Sequence, residues 1–198
     1  AMRGENETWA DDGGDKSHIE NVEQELLRKM NILAAKACID EDPLRFDAAL
    51  VLARDAFKEG EARLAKSVLE AAIHEGRNML PQEFSLGTDH LPWGFVDNRP
   101  FLLLLGEYVT LVEAIDGTQN AIPLYEELIA LNPNDNQGIR AFLATAYIAT
   151  NRLEEVLTLD KKYPGDAMVE LSAGTLLALY KLGRRDAARA RIKATKKH

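Results

Sequence analysis

The chain has 198 residues, 46% hydrophobic and 28% charged, which is typical of one globular domain or one short repeat array. No apolar run approaches the roughly 20 residues of a membrane-spanning helix, and a net charge of −8 argues against nucleic acid or an anionic membrane as the main partner. The single cysteine excludes an internal disulfide and, with a polar start that lacks a secretory-signal pattern, predicts a cytoplasmic protein.

The N-terminal region divides into a polar segment and a first helix. Residues 1–16 carry almost no apolar side chains and include a run of acids and glycines, so we expect them to be disordered. Ser17 and Glu20 have the spacing of a helix capping box, and apolar residues then recur at helical spacing as far as Ile39. The sequence therefore predicts one helical domain over residues 17–198, with its first helix covering one end.

From Pro43 onward the pattern repeats as pairs of amphipathic helices joined by short turns. The turns are centred on Gly60, Gly117, Asn151 and Gly183. The last three are 34 and 32 residues apart, and a helix-turn-helix unit with a period of about 34 residues is the signature of tetratricopeptide repeats. No segment has the alternation of a β-strand. The predicted helices of these pairs cover residues 44–57, 62–74, 101–115, 121–131, 139–149, 153–163, 169–182 and 186–197.

These units predict an all-α fold, namely a right-handed superhelical stack of antiparallel helix hairpins with about eight or nine helices. One long irregular insertion, at about residues 77–100, interrupts the stack. The segment contains three prolines and two glycines, but also Phe84, Leu91 and Trp93. Because so long and apolar a loop would be unstable in solvent, we expect it to pack across the helices with a short helical turn of its own.

Within each unit, small residues recur where two helices would touch, and a large side chain recurs on the second helix. The clearest matches are Ala53, Ala65, Leu69 and Ala72 in the first unit and Ala121, Tyr125 and Pro133 in the second. At these positions the chain resembles the tetratricopeptide repeat family, over roughly residues 43–197. The third unit matches least, because its second helix ends early at Pro164. The resemblance implies a helical repeat that holds protein partners rather than an enzyme.

Two further runs, residues 98–101 and 131–140, resemble a pattern of largely uncharacterised bacterial repeat proteins. This resemblance implies a bacterial source and no particular activity. In the second run a proline ends one helix, and the polar residues after it can cap the next. Arg99 and Arg140 then either pin the long insertion to this turn or form, with Asp135, a polar pocket for a peptide carboxylate.

The sequence contains no constellation of residues that indicates catalysis or a bound cofactor. Its four histidines are far apart without the spacing of a zinc site, and it has no glycine-rich phosphate loop or nucleophile elbow. We therefore predict no enzyme activity, no metal and no cofactor. His90 lies in the insertion near Trp93, and an enzyme that uses the segment 77–100 as a lid stays open as an alternative.

In a curved helical stack, the first helices of the pairs line the concave face. Arginine and tyrosine side chains there supply contact area and directed hydrogen bonds, which is why they concentrate at binding centres. The candidate binding residues on this face and in the turns are Arg45, Arg54, Trp93, Arg99, Tyr108, Asp135, Arg140, Tyr147 and Tyr180. The alternative interpretation is that the tyrosines fill the space between neighbouring helices.

Together these features predict a non-catalytic interaction module that binds a peptide or protein segment on its concave face. A dedicated chaperone for a secreted protein and a homo-oligomeric structural protein remain alternatives. The last hairpin has no polar capping helix and would leave Leu176, Leu179 or Ile192 uncovered. Either its basic outer face is the cap, or the protein self-associates, or the chain is part of a longer one. The basic residues of this hairpin either form a solvated last helix or contact an acidic peptide or RNA.

Overall fold

The computed structural model describes residues 13–42, 44–166 and 168–195. Within these ranges there are nine α-helices, one short 3-10 turn and no β-strand. None of the helices combines the length and apolar character that crossing a membrane requires. The helices are α1 (Gly13–Glu41), α2 (Phe46–Lys58), α3 (Ala62–Asn78), α4 (Arg99–Asp116), α5 (Thr118–Leu131), α6 (Ile139–Ala149), α7 (Leu153–Lys162), α8 (Val169–Lys181) and α9 (Arg185–Thr195).

The predicted all-α stack of helix hairpins is confirmed. Helix α6 has the predicted bounds, and the ends of the other repeat helices differ from prediction by a few residues. The largest difference is in α3, which continues to Asn78. The irregular segment is consequently shorter than the predicted 77–100: it covers residues 79–95 and is followed by the 3-10 turn Val96–Asn98.

The four hairpin turns are centred on the residues that the sequence predicted. Gly60, Gly117, Asn151 and Gly183 all have positive φ angles, of 81, 90, 60 and 75°. A residue with positive φ lets the chain leave one helix and enter the next within two or three residues. Glycine adopts this conformation without steric cost, and asparagine tolerates it better than other side chains.

Each second helix packs both on the first helix of its own pair and on that of the next pair. Helix α3 contacts α2 and α4, α5 contacts α4 and α6, and α7 contacts α6 and α8. The small residues that the sequence placed at these contacts are all buried, namely Ala53, Ala65, Ala72 and Ala121. One continuous core therefore runs from α2 to α8.

Helices α3 and α4 approach each other closely at Gly76. A Cβ atom at this position would lie 2.5 Å from Cε2 of Phe101 and 3.0 Å from Cζ of Phe46. The two phenylalanine rings pack on each other with centroids 5.7 Å apart, and Phe101 is buried. Because neither ring can move without disturbing the core, this crossing requires glycine.

We expect Gly76→Ala to lower the free energy of unfolding by up to about 2 kcal/mol. Overpacking a core costs about 1–3 kcal/mol, and alanine offsets roughly 1 kcal/mol of this because it is the better helix former. Gly174 on α8 is the matched control, because a Cβ atom there meets only ordinary contacts, the nearest at 3.6 Å. In a urea titration, Gly174→Ala should therefore show a higher free energy of unfolding than the unmodified chain. Equal changes in the free energy of unfolding for Gly76→Ala and Gly174→Ala would contradict the close approach at Gly76.

The irregular segment packs on the end of α5, as predicted. The amide of Leu91 donates to the carbonyl of Leu131 at 2.7 Å, and Nδ1 of His90 donates to the carbonyl of Ala130 at 3.0 Å. Carbonyls in the last turn of a helix lack partners within the helix, so these contacts cap α5. The apolar side chains of the segment that pack on the core are Phe84, Leu91 and Trp93. His90 therefore anchors the segment.

Helix α1 packs along α2 through one of its sides. It begins at Gly13 rather than at the predicted Ser17. Residues 1–12, which make up most of the predicted disordered segment, lie outside the described residues. On the side that faces α2, Ala35 is buried and Ile32 is half-buried.

Candidate functional site

Two pockets open on the face formed by the first helices of the hairpins. One lies between α2 and α4 and the other between α4 and α6, with volumes of about 220 and 320 Å³. The first is lined by residues that include Leu50, Arg54, Phe57, Lys58, Glu107 and Thr110. The second is lined by residues that include Leu103, Gly106, Glu107, Thr110, Gln137 and Phe142. Because they share two residues of α4, the pockets form one continuous surface, the α2–α4–α6 groove.

Large apolar side chains in this groove are accessible to solvent. Phe57 on α2, Leu103 on α4 and Phe142 on α6 are 52, 43 and 56% exposed. The Phe142 ring stacks on the ring of Tyr125, with centroids 6.2 Å apart and an angle of 13° between the planes. The ring is thus held in position although more than half of its surface is open. Fixed, exposed apolar groups of this kind mark surfaces that a ligand can bury.

Polar groups lie at both ends of the groove. At the α2 end, Arg54 and Lys58 supply positive charge, and Arg54 forms an exposed ion pair with Glu107 of α4. At the α6 end, Nε2 of Gln137 donates to the carbonyl of Leu102 at 3.0 Å, which fixes the amide group beside the second pocket. The groove therefore combines apolar pockets with two cations and the Glu107 carboxylate towards the α2 end and a neutral amide at the α6 end.

A second polar cluster joins the linkers before α6 and after α7. The carboxylate of Asp135 accepts hydrogen bonds from the amides of Ile139 and Arg140, at 2.7 and 2.9 Å, and so caps α6. The Arg140 guanidinium donates to Asp135 at 2.8 Å, bonds to Asp166, and lies 5.2 Å from the ring centroid of Tyr163. Hydrogen bonding first to Asp166 and then to Asp135 raises the pKa of Arg140 above its ordinary value. The cluster pairs one guanidinium with two carboxylates and holds two linkers together.

Comparisons with known proteins agree with this geometry. The family model described as tetratricopeptide repeat matches residues 118–168, which cover α5 to α7. Similar solved structures include a putative kinesin light chain from Podospora anserina with nearly identical TPR-like repeats (19% identity, 87% of this chain and 83% of that chain, TM-score 0.56). MamA is similar at 19% identity (94% and 93%, TM-score 0.54), and the TPR protein YrrB at 13% identity (88% and 79%, TM-score 0.53). The fold of the chain is TPR-like, and residues 118–168 match the repeat family itself.

The likeness to these structures concerns the fold, because the identities are below 20%. No curated protein sequence matches the chain. In the TPR-like fold, α2, α4, α6 and α8 are the first helices of the repeats. The α2–α4–α6 groove runs along three of them.

The predicted binding residues are distributed over several parts of the TPR-like array. Arg54 lines the groove. Arg45 lies just before α2 and pairs with the exposed carboxylate of Asp47. Tyr180 is exposed on α8 and lies beside α9, with the Arg185 guanidinium 6.0 Å from its ring. Arg45 and Tyr180 are therefore remote from the pockets between α2, α4 and α6.

Two of the predicted tyrosines bridge neighbouring helices of the TPR-like array. The hydroxyl of Tyr108 on α4 donates to Glu70 of α3 at 2.7 Å, and that of Tyr147 on α6 donates to Glu126 of α5 at 2.8 Å. These contacts agree with the alternative interpretation, in which tyrosines fill the space between helices. Burial and then the hydrogen bond to Glu70 raise the pKa of Tyr108 to about 12.

The raised pKa values of Tyr108 and Tyr163 predict that the protein loses stability at high pH. Burial raises the pKa of Tyr163, like that of Tyr108, to about 12, from an ordinary value of 10.0. Because the folded pKa is the higher one, the stabilisation is complete below pH 10 and is lost as the pH rises from about 10 to 12. Urea titrations followed by circular dichroism across this range should show the decline. Tyr108→Phe should make the decline shallower, and a stability independent of pH up to 12 would contradict the burial of these hydroxyls.

Trp93 and Arg99 hold the irregular segment against the start of α4. Nε of Arg99 donates to the carbonyl of Trp93 at 2.9 Å, and the guanidinium lies 5.3 Å from the indole centroid. Arg99 therefore holds the segment to the start of α4, whereas the prediction had it pin the segment to the 131–140 turn. The partners of Arg140 are Asp135 and Asp166 in the repeat linkers.

The sequence interpretation overlooked Leu103 and Phe142, because it considered charged side chains and tyrosines on the first helices but no aliphatic or phenylalanine side chains. The sequence nevertheless contained one signal that an apolar side chain of α4 is exposed. Residues 101–105 are five consecutive apolar residues, and five consecutive helical positions surround the whole helix. At least one of them must point away from the core, and that residue is Leu103.

Proposed function

We propose that this TPR-like protein is a non-catalytic interaction module whose α2–α4–α6 groove binds an extended peptide or protein segment. The proposal is carried by the exposure of Leu103 and Phe142, two large apolar side chains on neighbouring first helices of one face. Burying such surface contributes about 25 cal/mol per Å², against the ordering costs of association. Groups fixed before binding reduce those costs.

The lining of the groove defines the chemistry of the ligand. The pocket beside Phe57 suits one apolar side chain, and Lys58, beside the Arg54–Glu107 ion pair, favours an acidic residue next to it. The pocket beside Leu103 and Phe142 suits a second apolar side chain. The ligand is thus an extended segment with two apolar anchors, one of which has an acidic neighbour.

One further observation supports this proposal. YrrB, which shares the fold, is described as a TPR protein with an unusual peptide-binding site. The proposal relies on surface complementarity between the groove and a peptide, as in other helical repeat arrays.

Selection of binders from a displayed library of random peptides tests the proposal. The enriched peptides should share two apolar positions with an acidic residue beside one of them. Their binding should weaken as salt rises, because Arg54 and Lys58 are exposed and their charges are screened. The double variant Arg54→Glu, Lys58→Glu should select peptides with the same apolar pair and a basic neighbour. Identical peptide preferences in the two proteins would contradict the assignment of the groove.

A further inference from the structure

Helix α1 has two sides of apolar character, and the array covers one of them. The inner side contacts α2 through Ala35 and through an ion pair between Arg28 and Asp55. The outer apolar residues are 46–67% exposed and comprise Val22, Leu26, Leu27, Met30 and Leu33. Spacings of three and four residues place most of these on one stripe, opposite the α2 contact. We refer to them as the α1 stripe; its size indicates a surface that another element covers.

The opposite end of the array also carries an apolar surface. The groove between α8 and α9 is lined by residues that include Leu176, Leu177, Tyr180, Arg185, Ala188 and Ile192. Leu177, Tyr180 and Ile192 are exposed there. In the earlier hairpins, the corresponding groove holds the next first helix: α4 packs on α2 and α3, and α8 packs on α6 and α7. Among the described residues, no helix occupies the α8/α9 groove.

Acidic side chains border the N-terminal half of the α1 stripe, and arginines border the α8/α9 groove. Glu20 and Glu23 are exposed next to the stripe, and the nearby Lys29 pairs with Glu25. Arg185 and Arg189 border the groove and are exposed, and Arg189 pairs with Asp186. Contact between the two surfaces would bring acids near arginines, whereas contact between two α8/α9 grooves would bring four arginines together. Charge complementarity therefore favours the pairing of unlike ends.

We propose that the chain associates head to tail, with the α1 stripe of one copy lying in the α8/α9 groove of a second copy. In this arrangement α1 takes the place of the next first helix, so the stack of helices continues from copy to copy. The contact is heterologous, and each added copy leaves one stripe and one groove available at the ends. It does not use the α2–α4–α6 groove.

Substitutions on the two surfaces test the proposal. Leu26→Glu places a carboxylate in the α1 stripe, and Leu177→Glu places one in the α8/α9 groove. Light scattering over a dilution series from about 1 mM to about 1 μM covers the range in which weak specific contacts dissociate. The unmodified chain should form assemblies larger than a dimer, and each variant should be a monomer with unchanged helicity. Leu64→Glu is the matched control, since Leu64 is exposed on α3 away from both surfaces, and it should associate as the unmodified chain does.

A mixture of the two variants distinguishes head-to-tail contact from symmetric contact. Leu26→Glu retains an intact α8/α9 groove, and Leu177→Glu retains an intact α1 stripe. An equimolar mixture should therefore form a species of two chains and nothing larger. A monomeric unmodified chain throughout the dilution series would overturn the proposal. Self-association of Leu177→Glu alone would show a symmetric contact between α1 helices, and that of Leu26→Glu alone a symmetric contact between grooves; either result would also overturn it.

Discussion

Replacing Arg140 by alanine is expected to lower the free energy of unfolding by about 3–5 kcal/mol, the usual cost of removing one partner of a buried ion pair. The guanidinium bonds to Asp135 and Asp166, whose side chains are only 1 and 5% exposed. In the variant, both carboxylates lose their common cation and stay out of reach of bulk water. The penalty is the cost of keeping two like charges in that environment.

The effect extends to the arrangement of the repeats, because the cluster joins the linker before α6 to the linker after α7. The hydroxyl of Tyr163 donates to the carbonyl of Pro133 at 3.0 Å and connects the same two linkers. Arg140→Lys keeps the positive charge, but it loses the planar group that reaches both carboxylates at once. We therefore expect the lysine variant to recover only part of the lost stability.

Urea titrations at neutral pH, followed by circular dichroism, measure this effect. Arg184→Ala is the matched control, because Arg184 forms an ion pair with Glu154 in which the side chains are 48 and 59% exposed. Exposed pairs contribute about 0–1 kcal/mol, so this variant should differ little from the unmodified chain. If the Arg140 and Arg184 variants lose the same stability, the cluster does not hold the linkers as described.

The second large effect is expected at Phe142. Phe142→Asp should weaken the binding of a selected peptide at least about 30-fold, which corresponds to the roughly 2 kcal/mol typical of a central interface side chain. The substitution removes the exposed ring from the second pocket and places a charge on an apolar surface. Because more than half of the ring is open to solvent in the unliganded protein, the fold should tolerate the change.

Isothermal titration with the same peptide provides the measurement, and a thermal scan monitors folding. Leu64→Asp is the control, because it introduces the same charge at another exposed apolar position, on α3 and outside the groove. It should leave the affinity unchanged. Retention of affinity by Phe142→Asp, or an equal loss in both variants, would exclude the second pocket as a binding element.

Much of the fold could be predicted because local signals and tertiary packing agree. The turn residues Gly60, Gly117, Asn151 and Gly183 are needed for backbone conformation, so their spacing reports the repeat directly. The small residues at the helix crossings indicate the fold just as directly, because close packing of each helix pair requires a small side chain where the helices cross.

The parts that could not be predicted depend on contacts between distant segments. The sequence indicated Arg140 as a linker residue, but its partner Asp166 lies in another linker and no local pattern connects the two. Helical spacing identified the α1 stripe as apolar, yet spacing alone cannot tell which side of a helix meets α2. In the candidate site, Tyr108 and Tyr147 have the composition of binding residues, but carboxylates on adjacent helices engage their hydroxyls.

The most direct test of peptide binding in the α2–α4–α6 groove is a nuclear magnetic resonance titration of the isotope-labelled chain with a selected peptide. The groove assignment predicts the largest amide shift changes on α4 and α6, at Leu103, Thr110 and Phe142, with smaller changes around Arg54 on α2. Changes concentrated on α8 and α9 around Tyr180, or along α1, with the α4 and α6 signals unmoved, would contradict it.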